Sequence, residues 1–372
     1  MLICKTRPHH SCDLGALSVE EKIQIHAQEV LYPEGHCIRG ASFLSRVPLL
    51  QHLAPIVRHH HRRYDAPPVM DQHGEAQLAQ ILFLADIIER SVNRDIYILH
   101  QNSRLRKVAE EEAGASVDPD VVGIFLDVSE REDFWLDLES PRLYYLLLHR
   151  GPFGGKQVGI GELKQISEMF RNIIDFRSRF TATHSSGVAR SAMLISRAFG
   201  MSASEVQLME VAGNVHDLGK LAVPNAILEK PAKLSEDEFQ VMKQHTYSTY
   251  TILNMIGGLR QLPEWAAFHH ERLDGKGYPF HLASDRLDTG ARILAVADVF
   301  TALAEDRPYR KKLNDDKIIQ IIAQMAADKK LDTQIVQALE DNIASIKAEV
   351  TEWQAPMLNF YETQFVPLSS AT

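Results

Sequence analysis

The 372-residue sequence contains only three cysteines, and all of them lie in its first tenth, at Cys4, Cys12 and Cys37. None of them forms a CxxC pair, so the sequence indicates neither a structural zinc knuckle nor a disulfide framework. We interpret the three as ordinary buried or surface thiols.

Long apolar runs are absent as well. No stretch approaches the roughly 20 apolar residues that span a bilayer, and the opening MLICKTRPHH has no apolar core of the kind found in signal peptides. Excess positive charge is also missing, because the formal net charge is -9, which disfavours non-specific binding to DNA or anionic membranes. We therefore expect a cytoplasmic protein with no membrane span and no DNA partner, whereas a local pocket for a small phosphate ligand stays open.

Strand-like alternation is scarce, but helical periodicity recurs along the chain. In ARSAMLISRAFG (189–200) and DDKIIQIIAQMAADKK (315–330), apolar residues return every three or four positions, which is typical of amphipathic helices. Ser202 with Glu205, and Ser235 with Glu238, have the spacing of capping boxes, which begin helices. These patterns predict an all-α fold.

The chain is long enough for two domains. RGPFGGKQVGIGE (150–162) contains five glycines and a proline and interrupts the helical pattern, so it predicts the loop between the two halves. We place one domain at 1–150 and the other at 151–372.

Four segments of the N-terminal half resemble segments of the C-terminal half, in the same order. The pairs are LSVEEKIQ (17–24) with LSEDEFQV (234–241), RHHHRRYD (58–65) with FHHERLDG (268–275), ILFLADIIERS (81–91) with ILAVADVFTAL (293–303), and SVDPDVVGIFLD (116–127) with KLDTQIVQALED (330–341). We interpret the first half as a shortened copy of the second. Chance similarity between helical segments is the alternative.

Histidine is abundant, with 17 residues, and the C-terminal half contains an ordered series of potential metal ligands. They are His184, His216, Asp217, His245, His269, His270 and Asp298. Imidazole and carboxylate donors without a thiolate suit iron or manganese better than a structural zinc site. Two such ions on either side of an aspartate would bridge a hydroxide and hold a phosphoryl oxygen, which indicates hydrolysis of a phosphate ester.

Three motifs carry a resemblance to a known family. HDLGK (216–220), HHERLDGKGYP (269–279) and ARILAVADVFTAL (291–303), followed by RPYR (307–310), resemble the HD-GYP family of phosphodiesterases, a branch of the HD-domain phosphohydrolases. The similarity implies an all-helical domain in which two or three iron or manganese ions hydrolyse a cyclic dinucleotide to the linear dinucleotide, and often on to mononucleotides. Cyclic di-GMP and 3',3'-cyclic GMP-AMP both stay open as the substrate.

By this resemblance the seven candidates fall on the metal ligands of the family, and Lys220 falls on a lysine that contacts phosphate. Asp217 and Lys220 are the expected catalytic residues. The expected substrate-binding residues are Lys220, Arg272, Asp274, Gly275, Gly277, Tyr278, Pro279, Arg307 and Arg310. The glycines would permit a tight loop, which Arg272 and Asp274 would brace and the Tyr-Pro pair would stiffen. The last two arginines would contact phosphate, with surface ion pairs as the alternative.

Two positions depart from the family pattern. Phe180 stands where members with three metals have a glutamate, so we expect two ions. Thr301 stands where many members have an aspartate. That aspartate would contact a metal ligand or the substrate, so this one contact is in doubt, but no metal ligand is lost.

The N-terminal half retains few of the ligands. His59, His60 and Asp86 have counterparts there, but Gln28 stands opposite His245 and the GYP motif is missing. We expect a noncatalytic domain for regulation or dimerisation, with a relict single-metal site as the alternative.

Two other functions stay open for the whole chain. One is a noncatalytic sensor or scaffold that binds cyclic dinucleotides, which the full ligand set disfavours. The other is an HD-type phosphohydrolase of other nucleotides, which gives no reason for the long GYP motif. Besides the substrate, the expected partners are a second copy of the chain and signalling proteins that bind the N-terminal domain or the GYP loop.

Overall fold

The computed structural model describes residues 34–66, 74–140, 157–176, 182–228, 230, 232–306 and 311–365, together with 143, 145 and 147. Within these ranges the chain is helical and contains no β-strand, although isolated bridges join Ala113 to Val117 and Asp274 to Ala283. The prediction of an all-α fold is confirmed. None of the helices in these ranges is long and apolar enough to cross a membrane.

The described residues divide into two compact units, one that ends at Val158 and one that begins at Gly159. The division falls inside the glycine-rich segment 150–162, a few residues after the boundary that we placed at residue 150. Helix formation resumes before the end of this segment. The carboxylate of Glu162 accepts a hydrogen bond from the backbone N–H of Gly159 at 2.9 Å, and a helix begins at Ile160.

The N-terminal unit is a set of short helices around one core. The helices are α1 (Glu34–Leu44), α2 (Ala54–His59), α3 (Glu75–Ser91), α4 (Asn102–Glu112), α5 (Pro119–Val128) and α6 (Glu132–Glu139), with 3-10 turns at Gln51–Leu53 and Ile98–His100. Trp135 is fully buried in the core, and its indole Nε1 donates to the carbonyl oxygen of Ser129 at 2.8 Å. Because this N–H has a partner, the largest side chain of the unit is buried without an unsatisfied polar atom.

The C-terminal unit is larger. Its helices are α7 (Ile160–Asp175), α8 (His184–Ala198), α9 (Ala203–Val215), α10 (Asn225–Leu228), α11 (Glu236–Asn254), α12 (Leu262–Ala267), α13 (Thr289–Ala304), α14 (Asp315–Ala327), α15 (Thr333–Glu340) and α16 (Ile343–Phe360), with 3-10 turns at Leu218–Ala222 and Ser284–Arg286 and a π turn at Tyr361–Phe365. Helix α8 lies at the centre and packs against α7, α9, α13, α15 and α16. Nearly all of its residues are buried for this reason.

Both predicted capping boxes are confirmed. The backbone N–H of Ser202 donates to Glu205 at 2.9 Å while the hydroxyl of Ser202 accepts from the N–H of Glu205. Ser235 and Glu238 form the same reciprocal pair. These caps determine where α9 and α11 begin, and therefore which of their residues face the core.

Two glycines allow the backbone to approach closely beside the predicted ligands. A Cβ atom on Gly213 would lie 2.4 Å from Cα of Ala189, and one on Gly219 would lie 1.9 Å from the carbonyl oxygen of His245. Neither position accepts a larger residue unless the backbone moves. Helix α9 is thus held against α8, and the turn after α9 is held against α11.

The start of α13 is held by a contact with α12. Indole Nε1 of Trp265 donates at 2.6 Å to Asp288, which also caps α13 by accepting from the N–H of Gly290 at 2.8 Å. A Cβ on Gly290 would lie 2.2 Å from the indole ring, so only glycine fits there. This contact sets the position of α13, the helix that carries Asp298.

Candidate metal centre

The seven predicted ligands converge in the C-terminal unit, although they come from five different segments. They are His184 at the start of α8, His216 and Asp217 at the end of α9, His245 in α11, His269 and His270 after α12, and Asp298 in α13. Five of the seven side chains are buried, and those of His270 and Asp298 are partly buried.

The donor atoms of these residues form three overlapping groups, and within each group all atoms lie within 4.8 Å of one another. The groups are His245, His269 and His270; His184, His216 and Asp298; and His216, Asp217 and His269. The third group shares one histidine with each of the other two. The seven residues are therefore one connected set of donors, with Asp217 between its two halves.

Asp217 contacts a different histidine with each carboxylate oxygen. Oδ2 lies 3.2 Å from Nε2 of His216, and Oδ1 lies 3.5 Å from Nε2 of His245. The ammonium of Lys220 donates to Oδ2 at 2.6 Å. Burial alone would raise the pKa of Asp217, but the charges of His216 and Lys220 outweigh it and hold this pKa well below its usual value. The residue is therefore an ionised carboxylate, as a shared ligand must be.

Asp298 makes an analogous link between two segments. Its Oδ1 lies 3.2 Å from Nε2 of His184, and its Oδ2 lies 3.9 Å from Nδ1 of His270. Burial opposes ionisation, yet the hydrogen bond from His184 and the charge of His270 lower the pKa of Asp298 below its usual value. Its negative charge thus lies within the apolar run ILAVADVF, where the histidines compensate for it.

Three of the histidines are oriented by the same backbone contact. In His216, His245 and His269, Nδ1 contacts the carbonyl oxygen three residues earlier in the chain. The distances to Gly213, Met242 and Ala266 are 2.8, 2.7 and 2.8 Å. Since a carbonyl oxygen can only accept, each Nδ1 carries a proton. In His245 and His269, whose pKa burial lowers, the neutral ring keeps a lone pair on Nε2, whereas in His216 burial is outweighed by the contact with Asp217, which raises the pKa of His216. Such a contact at Nδ1 is the usual way in which a protein orients an imidazole toward a metal.

Two of these Nε2 atoms are buried without a hydrogen-bond partner among the described residues, namely those of His245 and His269. A buried polar atom left in this state costs about 1–3 kcal/mol. Burial lowers the pKa of His245 to about 3 and that of His269 well below its usual value, so both rings are neutral at pH 7. A bound cation would satisfy both lone pairs, and the donor set therefore fits a divalent metal.

Glu305, for which no role was predicted from the sequence, orients His184. Nδ1 of His184 lies 3.0 Å from Oε2 of Glu305. Oε1 of Glu305 accepts in turn from the side-chain amide of Gln354 in α16 at 2.6 Å. This carboxylate directs Nε2 of His184 toward Asp298. Glu305 follows α13 and is 121 residues from His184, so no local spacing could have indicated the contact.

The GYP loop, residues 271–283, is braced by two acidic residues. Arg272 and Asp274, which were expected to brace the loop, form an ion pair. Glu271 has the more central role, because its Oε1 accepts from the N–H of Phe280 at 2.7 Å and its Oε2 from that of Leu282 at 3.0 Å. No role for Glu271 was predicted from the sequence. The buried carboxylate closes the loop on itself directly after the histidine pair.

The two glycines of this loop permit the tight turn that was predicted from them. Gly275 adopts a positive φ of 71°, and a Cβ on Gly277 would lie 2.4 Å from Cα of Glu271. The ring of Tyr278 lies 4.9 Å from the ring of His270, centroid to centroid, and a cis peptide bond joins Tyr278 to Pro279. The loop thus places an aromatic ring beside a candidate ligand.

Other predicted positions have different outcomes. Arg307, Arg310 and Phe180 lie outside the described residues. Thr301 is buried, and its hydroxyl lies 3.2 Å from the hydroxyl of Ser191. It therefore contributes to the packing of α13 against α8.

Comparisons with known proteins agree with this geometry. The HD domain family matches residues 168–335. The chain is 30% identical over 334 residues to 3'3'-cGAMP-specific phosphodiesterase 1 of Vibrio cholerae, which covers 86% of this chain and 77% of the relative. It is 29% identical over 304 residues to 3'3'-cGAMP-specific phosphodiesterase 3 of the same organism, with 80% and 64% covered. With the cyclic di-GMP phosphodiesterase response regulator RpfG of Xanthomonas campestris, identity is 39% over 157 residues, or 40% of each chain.

One solved structure has the same fold over most of its length. The crystal structure of a cyclic GMP-AMP specific phosphodiesterase of V. cholerae, V-cGAP3, matches with a TM-score of 0.57 and 24% identity, covering 89% of this chain and 79% of the other. At this level of identity the similarity establishes the all-helical fold.

Proposed function

We propose that this chain, which belongs to the HD-GYP family of HD-domain phosphodiesterases, is a metal-dependent hydrolase of a cyclic dinucleotide. The observation that carries this conclusion is the convergence of seven imidazole and carboxylate donors, Asp217 among them, with two buried Nε2 atoms that lack a hydrogen-bond partner among the described residues. The similarity to a named phosphodiesterase over most of both chains supports the same activity.

The ligand set divides into two halves that share Asp217. One half comprises His184, His216 and Asp298, and the other comprises His245, His269 and His270. Each half would hold one divalent ion, and the nitrogen and oxygen donors favour iron or manganese. When bound, the ions supply Lewis acidity toward water and toward a phosphoryl oxygen of the substrate.

The protein itself supplies charge and shape around this centre. Lys220 lies 2.6 Å from Asp217, so its ammonium keeps this carboxylate ionised and provides a cation for a phosphodiester that approaches the centre. The GYP loop places Tyr278 beside His270 as one wall of the substrate site. Arg272 and Asp274 act on the substrate indirectly, because they engage each other and stabilise the loop. Arg307 and Arg310 contribute further positive charge for the phosphates.

The preferred substrate is 3',3'-cyclic GMP-AMP. The relatives that match this chain over most of its length are named as 3'3'-cGAMP-specific enzymes, whereas the cyclic di-GMP phosphodiesterase RpfG matches only 40% of it. Cyclic di-GMP is the second candidate, because identity within that shorter segment reaches 39%. A homodimer, signalling partners that bind the N-terminal domain or the GYP loop, and a cytoplasmic location stay predictions.

A substrate panel tests the proposal. The full chain is loaded with manganese or, without oxygen, with ferrous iron, and is incubated separately with 3',3'-cyclic GMP-AMP, cyclic di-GMP and an unrelated nucleotide triphosphate. Chromatography of the products should show a linear dinucleotide from 3',3'-cyclic GMP-AMP, and a chelator should abolish its formation. Binding without turnover by metal-loaded protein would indicate a sensor instead. Turnover of the triphosphate alone would indicate a general HD-type phosphohydrolase.

A further inference from the structure

A second cluster of potential ligands lies in the N-terminal unit, outside the centre described above. The donor atoms of His36, Cys37, His60 and His61 all lie within 4.8 Å of one another. His36 and Cys37 belong to α1, whereas His60 and His61 follow α2. We propose that these four side chains bind a single divalent metal ion of the zinc type.

The contact between two of the imidazoles has the geometry of a shared ion. Nδ1 of His60 contacts the carbonyl oxygen of Val57 at 2.6 Å and therefore carries the proton, which leaves a lone pair on Nε2. This Nε2 lies 3.1 Å from Nε2 of His36. Two imidazole nitrogens bound at 2.0–2.1 Å to a tetrahedral zinc ion lie about 3.3 Å apart. The observed separation is close to this value.

The pair His60 and His61 has the geometry of the pair His269 and His270 in the catalytic unit. The ring centroids are 4.3 Å apart at 49° in the first pair and 4.1 Å apart at 48° in the second. Each pair follows a short helix with a proline in its first turn. In each pair, Nδ1 of the first histidine contacts the carbonyl oxygen three residues earlier.

The third histidine extends the match. The rings of His36 and His61 are 4.7 Å apart at 83°, and those of His245 and His270 are 5.3 Å apart at 87°. Two of the three ring contacts in the three-histidine half of the catalytic centre therefore recur in the N-terminal unit, in the same chain order. The third contact differs in angle, with His36 and His60 at 71° and His245 and His269 at 45°. The separation in sequence between the helix histidine and the pair is also the same in both units.

This geometry supports a different correspondence from the one that the sequence predicts. The counterparts of the catalytic pair are His60 and His61 rather than His59 and His60. The counterpart of His245 is His36 rather than Gln28, which lies outside the described residues. Three consecutive histidines leave the sequence alignment ambiguous by one residue, and the end of α2 resolves it.

The fourth donor differs between the two units. Oδ2 of Asp86 lies 3.7 Å from Nε2 of His61, whereas Oδ2 of Asp298 lies 3.9 Å from Nδ1 of His270. The carboxylate of Asp86 is also ion-paired with Arg90 on the same helix. We therefore leave Asp86 out of the ligand set. Sγ of Cys37 lies 3.8 Å from Nε2 of His36. Three imidazoles and one thiolate form a closed tetrahedral set for zinc, whereas the catalytic centre offers nitrogen and oxygen donors only.

The proposed site holds one ion, because the described residues around it provide no second group of donors. Among the described residues of the N-terminal unit, no other group of three potential ligands lies within reach of a common ion. The site therefore stabilises the packing of α1 against α2 and does not perform the two-metal chemistry of the C-terminal unit. Without an ion, the contact between His36 and His60 would be a plain hydrogen bond, and the two cases differ in metal content.

Metal content measured on the full chain tests the proposal. Wild type, His61→Asn, His36→Gln and the control His52→Asn, whose side chain is exposed in the same unit, are stripped with a chelator, reloaded with zinc and dialysed. The number of zinc ions per chain, measured by mass spectrometry, should be one lower in His61→Asn and His36→Gln than in wild type. It should not change in the control. Circular dichroism confirms that each variant is folded. Equal zinc content in wild type and a folded His61→Asn or His36→Gln variant would overturn the site.

Cobalt provides an independent readout of the thiolate. The C-terminal half contains no cysteine, so thiolate-to-cobalt charge-transfer absorption can arise only in the N-terminal part of the chain. Cobalt-loaded wild type should show this absorption, and Cys37→Ser should lose it while His52→Asn retains it. If the absorption is absent from wild type or persists in Cys37→Ser, Cys37 is not a ligand and the proposed ligand set is wrong.

Discussion

The two units contain the same three-histidine arrangement in different surroundings. In the C-terminal unit the arrangement faces Asp217, and beyond it lies a second group of donors. In the N-terminal unit it lies beside Cys37, and the nearby Asp86 is paired with Arg90. The histidine pair is thus common to the catalytic centre and to the proposed zinc site. A hydrolytic centre requires in addition a shared carboxylate and a second ion, because both the attacking water and the phosphoryl oxygen must be polarised.

Removal of the shared carboxylate should have the largest effect. We expect Asp217→Ala to lower kcat by about 1000-fold or more, since the two ions together contribute several kcal/mol of transition-state stabilisation. Metal content of the C-terminal unit should fall as well. Hydrolysis of 3',3'-cyclic GMP-AMP and elemental analysis measure both effects. Asp285→Ala, an exposed acidic position of the same unit, is the control. Wild-type activity at wild-type metal content in Asp217→Ala would show that the centre has been misplaced.

A matched pair of substitutions tests whether the two units differ in chemistry. Asp298→Asn removes a charge that contacts His184 and His270, and should lower kcat/KM at least about 100-fold. Asp86→Asn removes the corresponding charge near His61, and should change kcat/KM less than about twofold, because its carboxylate is engaged by Arg90. Comparable losses in both variants, at equal folded fraction, would contradict the assignment of catalysis to one unit.

A smaller effect is expected from Glu305→Gln. The amide still contacts His184 but no longer supports the ring with a negative charge, so we expect metal affinity and kcat/KM to fall about 10- to 100-fold. Activity measured during a metal titration separates the loss of metal affinity from the loss of kcat/KM, because excess metal should restore much of the activity. If excess metal restores nothing and affinity is unchanged, Glu305 does not act through the ligand. Glu349→Gln, which removes a salt bridge of α16 with Arg190, is the control.

The smallest expected effect concerns the segment after the histidine pair, where the C-terminal unit has the GYP loop and the N-terminal half has RRYDAPPVM. In Gly277→Ala the new Cβ would lie 2.4 Å from Cα of Glu271, so the loop must shift and stability should fall by about 1–3 kcal/mol. Gly257→Ala has no atom within 4 Å of its new Cβ and serves as the control. Urea denaturation measures both. Equal stability of the two variants would mean that the loop tolerates the shift.

Much of the candidate site was predictable because its parts are local in sequence. HDLGK places His216 and Asp217 side by side at a helix end, and HHERLDGKGYP places a histidine pair before a loop that only glycine can form at Gly275 and Gly277. The all-α fold was predictable for a similar reason, since periodicity and the caps of α9 and α11 act over a few residues. The donors therefore carried a sequence signal even before their distances were known.

The contacts that cross the fold had no such signal. Which two of three consecutive histidines form the N-terminal pair depends on where α2 ends and on the carbonyl oxygen of Val57. The support of His184 by Glu305 depends on the packing of α8 against α13. Sequence alone determined which donors the chain carries and which helices carry them. Tertiary structure decided which donors meet, because side-chain distances across helices depend on close backbone approaches such as that at Gly213, and no spacing along the chain encodes them.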